Sequence, residues 1–150
     1  MDNIMFCSCG RRATLLKDFR KSMNGCGKIV ATDMSPVAPA LFMADETYLV
    51  PRIDDPSYYE HVLDICEKSK VKAITTLIDP EIEILAKNRE DLLSKGILPL
   101  CPADWTARLC YDKYEMFKYL HDKGVRTILT YNSLEGFKNG LEKGKISFPV

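Results

Sequence analysis

An excess of charge of either sign is missing from this sequence. The 150 residues hold 21 lysines and arginines against 21 aspartates and glutamates, so the formal net charge is zero. Nucleic acid and anionic membrane surfaces attract basic faces, and this balance therefore predicts no nucleic-acid partner. No apolar run approaches the roughly 18 residues of a membrane span, so no membrane association is expected. Asp2 precedes the first apolar residues and no basic segment stands before them, which indicates no signal peptide and a cytoplasmic protein.

Metal-binding and disulfide patterns are also missing. The six cysteines include no C-x-x-C pair, and the two histidines, His61 and His121, stand alone in predicted helices. Most of the cysteines lie in or beside apolar segments, which favours buried, reduced thiols. Strand alternation would place the sulfur atoms of Cys7 and Cys9 on one face. We therefore predict no metal site and assign no catalytic residue.

Strands and helices alternate along the first two thirds of the chain. Apolar runs predict parallel strands near residues 4–9, 28–32, 47–50, 73–78 and 97–100, the first of them central. Helices are predicted to follow near residues 13, 56, 80 and 103, and Asp55-Pro56 and Asp79-Pro80 indicate capped helix starts. Right-handed crossovers predict an α/β fold, a Rossmann-like open parallel sheet with helices on both faces. If the strand order is 3-2-1-4-5, the order reverses beside the first strand, and the turns after the first, second and fourth strands meet there.

The pattern changes near Asp112, where we place the boundary between a domain over residues 1–110 and a second piece over residues 111–150. Asp112 and Ser133 are predicted helix caps, with strands expected at 127–131 and 146–150. The last strand has no partner sequence after it. We expect this piece to be a truncated α+β segment of an incomplete second domain.

The turn after the first strand combines a glycine with two cations. Gly10 permits a tight turn, and Arg11 and Arg12 stand at the positive end of the next helix, at a cost of a few tenths of a kcal/mol each. A bound anion would remove that cost, whereas in the alternative both side chains extend into solvent. The turn is not a dinucleotide fingerprint, which needs three glycines.

Acidic residues follow two further strands at the same edge of the predicted sheet. Asp33 is placed to bind a donor-bearing ligand or, alternatively, to form a local turn. Asp79 and Glu81 either contact a ligand or simply favour the helix start. At the switch point we expect Arg11 and Arg12 to meet a ligand anion or Glu81. The predicted substrate-binding residues are Ser8, Gly10, Arg11, Arg12, Asp33, Ser35, Asp79 and Glu81.

Several segments together resemble the N-terminal part of ATP-grasp proteins, especially those similar to the carbamoyl-phosphate synthase large chain. These segments are residues 7–12, 31–40, 50–56, 77–81 and 112–113. The resemblance implies a pre-ATP-grasp domain followed by the beginning of an ATP-grasp domain.

An enzyme of this kind uses Mg-ATP to phosphorylate a carboxylate, and an amine or similar nucleophile then displaces phosphate from the acylphosphate. The resemblance implies that Lys113 contacts nucleotide phosphate, although a solvent-facing lysine is the alternative. A second nucleotide lysine, expected just after Val150, and the magnesium ligands are absent from the sequence. The implied parent is an ATP-dependent ligase with ATP and Mg²⁺ as cofactors.

This chain alone is expected to be inactive and to bind neither cofactor tightly. Its expected partners are a small-molecule substrate and the missing C-terminal ATP-grasp domain, with a homodimer possible. The alternative function is a non-catalytic Rossmann-like module that binds a nucleotide or a small anion.

Overall fold

Two compact units divide the chain, one up to Ala107 and one from Arg108 onward. The computed structural model describes residues 2–148. Each unit has its own internal contacts. No helix among residues 2–148 is long and apolar enough to cross a bilayer.

The first unit contains a five-stranded, wholly parallel sheet, as predicted, and its strands follow the order β3-β2-β1-β4-β5. The strands are β1 (Asn3–Cys7), β2 (Ile29–Asp33), β3 (Glu46–Leu49), β4 (Val71–Thr76) and β5 (Leu98–Pro99). Every residue of β1 and β2 is buried, which explains why their sequences are mostly apolar, with polar residues only at the ends: Asn3, Thr32 and Asp33. Met5 in the centre pairs with Val30 on one side and Ile74 on the other.

Helices cover both faces of this sheet. They are α1 (Ala13–Met23), α2 (Tyr58–Lys68), α3 (Asp79–Lys87) and α4 (Arg89–Ser94), with a 3-10 turn at Leu41–Met43. Leu16 of α1 packs with Phe6 on one face, whereas Val62 of α2 and Leu85 of α3 pack with Met5 on the other. Alternate residues of β1 thus supply two separate cores, and the doubly wound α/β fold is confirmed. Helix α5 (Asp104–Tyr111) runs across the boundary between the units.

Two helix starts differ from the prediction. Helix α2 begins at Tyr58 and not at Pro56, because Asp55 Oδ1 accepts from Ser57 N at 2.8 Å and from Ser57 Oγ at 2.7 Å. The carboxylate therefore stabilises a turn ahead of the helix. Asp79 is the first residue of α3 and not its cap, since the cap position is the extended residue Ile78.

The prediction that Cys7 and Cys9 share a face is wrong. Cys7 packs in the core beside Met5, whereas Cys9 packs with Phe6 on the opposite face. The strand ends at Cys7, and Ser8 adopts a left-handed backbone conformation with φ +46°. This single turn breaks the alternation on which the prediction depended.

The second unit is helical over its described residues. Helix α6 (Lys113–Asp122) is capped by Asp112, and α7 (Leu134–Glu142) is capped by Ser133, as predicted. The predicted strands at 127–131 and 146–148 are not formed; residues 149 and 150 of the second lie outside the described residues. Residues 108–148 contain no strand, so neither segment has a partner for its backbone hydrogen bonds.

Candidate functional site

A cleft of about 400 Å³ lies at the carboxyl ends of the strands in the first unit. The strand order reverses beside β1 here, where open parallel sheets bind ligands. The loops after β1, β2, β3 and β4 and the first residue of α2 form its wall. The lining residues are Ser8, Gly10, Arg11, Arg12, Asp33, Met34, Val50, Pro51, Arg52, Ile53, Tyr58 and Ile78.

Asp33 holds two of these loops together. Its buried carboxylate accepts from Gly10 N at 2.8 Å through Oδ2 and from Ser35 N at 2.9 Å through Oδ1. Gly10 has φ +49°, and its carbonyl oxygen accepts from Ala40 N at 3.0 Å. The backbone of the cleft is therefore fixed by a carboxylate that uses both oxygens within the protein.

Three exposed arginines border the cleft, and two of them have no acidic partner. Arg52 pairs with the exposed Asp54, at 3.1 Å between Nε and Oδ1 and 3.3 Å between Nη2 and Oδ2. Among residues 2–148, neither Arg11 nor Arg12 forms an ion pair. The expectation that they meet Glu81 is wrong, because hydroxyl groups hold that carboxylate. The lining of the cleft thus carries three guanidinium groups against one carboxylate, that of Asp33.

Glu81 is fully buried behind the cleft wall. Its Oε1 accepts from the hydroxyl of Tyr58 and its Oε2 from the hydroxyl of Thr76. Burial raises the pKa of Glu81 to about 7; a hydrogen bond from Ser8 opposes this shift, and the charge of Asp33 adds to it. The acid therefore changes its ionisation near neutral pH.

The thiols near the cleft are not nucleophiles at neutral pH. Burial and the neighbouring Glu81 raise the pKa of Cys7 well above its ordinary value. Burial and Asp33 raise the pKa of Cys9 to about 11. A thiol must ionise to attack, so neither sulfur supplies a catalytic group. Within residues 2–148, no group of three or more His, Cys, Asp and Glu side chains could hold a metal ion.

Most of the residues predicted for substrate binding border the cleft, and three do not. Those at the cleft are Ser8, Gly10, Arg11, Arg12 and Asp33. Ser35 contributes its backbone N–H to Asp33, Glu81 lies behind the wall, and Asp79 is exposed at the start of α3.

Arg52 and Tyr58 line the cleft but were not among the predicted residues. The position of Arg52 just after β3 could have indicated it, because all strand ends meet at one edge of a parallel sheet. Tyr58 gives no such signal, since its ring reaches the cleft from a helix.

Lys113, the predicted phosphate contact, lies in the second unit. It is the first residue of α6 and is exposed, and its Nζ donates to Cys110 O at 2.5 Å. Asp112 Oδ1 already accepts from Tyr114 N at 2.9 Å and Glu115 N at 3.0 Å. A phosphate here would therefore be bound by the ammonium group more than by these backbone donors.

A family model described as PylC-like, N-terminal domain, matches residues 4–100. The chain belongs to this family. The match covers the whole sheet and the cleft, and it confirms the resemblance to the pre-ATP-grasp part of ATP-grasp proteins. Among curated proteins, no significant match was found.

Three solved structures illustrate the shared fold. N5-carboxyaminoimidazole ribonucleotide synthetase from Thermotoga maritima matches 95% of the chain at 21% identity and a TM-score of 0.64. The Staphylococcus aureus N5-carboxyaminoimidazole synthetase, solved with ADP, matches 95% of the chain at 16% identity and a TM-score of 0.63. The biotin carboxylase domain of a single-chain bacterial carboxylase matches 97% of the chain at 16% identity and a TM-score of 0.63. The chain spans only 36%, 36% and 34% of these proteins, respectively.

Proposed function

We propose that this chain is the front part of an ATP-dependent ligase and that its cleft binds the anionic end of a small carboxylate substrate. The observation that carries the proposal is the pair Arg11 and Arg12, which border the cleft without an acidic partner among the described residues. Guanidinium groups match carboxylates through paired hydrogen bonds, which gives orientation as well as charge.

The start of α1 strengthens this argument. Arg12 occupies the cap position without a side-chain cap, and the first turn contains no acidic residue. The positive helix end and two guanidinium groups therefore lie together, and no residue of this first turn supplies a counter-charge. Asp33 is the one carboxylate among the cleft-lining residues, and within residues 2–148 it forms no ion pair with either arginine.

The proposed cofactors are ATP and Mg²⁺. Two neighbours in fold are named synthetases, and one of these was solved with ADP. The exposed Lys113 fits a single phosphate contact, whereas residues 2–148 offer no carboxylate cluster for magnesium. Magnesium binding and activation of the carboxylate as an acylphosphate would thus require groups supplied by a further ATP-grasp domain.

Binding in the cleft can be tested on the chain itself by NMR titration with glutarate and with sulfate. Replacing either arginine, as Arg11→Gln or Arg12→Gln, should weaken binding about tenfold, because a hydrogen-bonded charge is lost. Lys17→Gln is the matched control, since Lys17 is an exposed cation of α1 outside the cleft. Equal weakening in all three variants would contradict a specific cleft.

The ligase activity can be tested on the product of the complete gene, read past the codon for Val150. We expect carboxylate-dependent release of phosphate from ATP that Lys113→Ala reduces and Lys118→Ala, on the same helix, does not. Anion binding in the cleft without ATP turnover by the complete product would refute the ligase and favour the non-catalytic binding module.

A further inference from the structure

The buried Glu81 is linked to the cleft through hydroxyl groups from separate elements. Tyr58 begins α2 and Thr76 ends β4, and the hydroxyl groups of both donate hydrogen bonds to its carboxyl group. Tyr58 also lines the cleft, as does Ser8, which lowers the pKa of Glu81. A change in the protonation of the carboxyl group therefore alters a hydrogen bond made by a residue of the cleft wall.

The protonation state of Glu81 determines whether these hydroxyl groups donate or accept in their hydrogen bonds with it. A carboxylate only accepts, so its hydroxyl partners all donate toward it. A neutral carboxyl group donates its own proton to one of them, and that hydroxyl is then free to donate elsewhere. If the released hydroxyl belongs to Tyr58, which lines the cleft, it can donate to an anion there.

The charges around Glu81 also favour anion binding when Glu81 is neutral and oppose it when Glu81 is ionised. The ionisable groups that face it are Asp33 at the end of β2, Cys7 and Cys9 from β1 and its loop, and Tyr58 of α2. None of these is a cation. An ionised Glu81 therefore adds a second negative charge beside Asp33 behind the cleft, which opposes anion binding.

We propose that Glu81 is a positioning residue that strengthens anion binding in the cleft when it is neutral and weakens it when it ionises. This inference rests on the proposed function of the cleft. It assigns to the pre-ATP-grasp unit a dependence of substrate affinity on pH near neutrality. Linkage requires the reverse effect as well, so a bound anion raises the pKa of Glu81.

The probe for this inference is sulfate, whose charge is constant across the pH range of the test. We expect wild-type affinity to fall about tenfold from about pH 5.5 to about pH 8.5, equivalent to a change of about one in the pKa of Glu81 on binding. In Glu81→Gln the affinity should not change over this range. Glu83→Gln on the same helix and His61→Gln on α2 are controls that should keep the wild-type dependence. A ¹³C titration of the Glu81 carboxyl should show its pKa rising when sulfate is added.

The two proposals fail in different ways. Sulfate binding that persists in Glu81→Gln with the wild-type pH dependence would overturn the role of Glu81 and leave the cleft intact. Absence of arginine-dependent sulfate binding at both pH values would overturn the cleft, and this inference with it. If the ¹³C titration gives the same pKa for Glu81 with and without sulfate, the coupling is also refuted, since binding and ionisation must affect each other equally.

Discussion

Replacing Glu81 with glutamine removes a buried titratable charge while keeping nearly the same shape. In the folded chain the pKa of Glu81 is about 7, against an ordinary value of 4.5, chiefly because of burial. A folded pKa above the unfolded one means that stability is fully present below pH 4.5 and is lost as pH rises through about 7. The difference corresponds to about 3 kcal/mol of unfolding free energy.

Urea denaturation followed by circular dichroism measures this quantity directly. The unfolding free energy of Glu81→Gln minus that of wild type should rise by about 3 kcal/mol between about pH 4.5 and about pH 8. Taking the difference removes titrations that the two proteins share. At the acidic end the variant should be the less stable of the two, because its amide N–H groups do not match the hydroxyl network as well as a neutral acid.

Glu83→Gln is the control for this experiment, since Glu83 lies two residues away on α3 and is only partly buried. Its stability should differ little from that of wild type, because Glu83 is only partly buried and lies outside the hydroxyl network of Glu81. A difference for Glu81→Gln that is constant with pH, or that falls as pH rises, would refute the burial argument. The result does not depend on any ligand, so it tests the network separately from the cleft.

Two further predictions concern the cleft backbone and the thiols. Asp33→Ala should lower the unfolding free energy by about 2–3 kcal/mol, because the partly buried N–H groups of Gly10 and Ser35 lose their acceptor. Asp33→Asn should cost about half as much in the same urea titration, since one acceptor oxygen remains; equal loss in both variants would contradict this. In native thiol labelling followed by mass spectrometry, Cys26 and Cys110 should react first because both are exposed. Rapid labelling of the buried thiols would contradict the structure; these are Cys7, Cys9 and Cys66.

The positions of the parallel strands could be predicted because a strand that is buried on both faces has apolar residues at successive positions. β1 and β2 are short and mostly apolar, and such segments, with helices between them, permit few arrangements of a sheet. The location of the cleft follows from the strand order, since the carboxyl ends of parallel strands meet at one edge. The roles of Ser8, Gly10, Arg11, Arg12 and Asp33 within it remain predictions.

The two predicted strands of the second unit show where local pattern fails. Residues 127–131 have strand-like composition, yet a strand requires hydrogen bonds from a neighbour that residues 108–148 do not contain. The helix caps Asp112 and Ser133 were predictable, because a cap bonds backbone groups two or three residues away.

By itself the sequence determined the α/β class, the approximate positions of the strands in the sheet-forming unit and the turn that places Arg11 and Arg12 beside the cleft. All three depend on apolar periodicity and on residues close together in the chain. Only the tertiary structure decided that Glu81 is buried among hydroxyl groups and that Asp33 connects the loops after β1 and β2 through hydrogen bonds. Tyr58 and Gly10 each lie 23 residues from the carboxylate that they contact. Solvation and hydrogen-bonding partners, which set the charge of an acid, are properties of the folded neighbourhood and leave no local pattern.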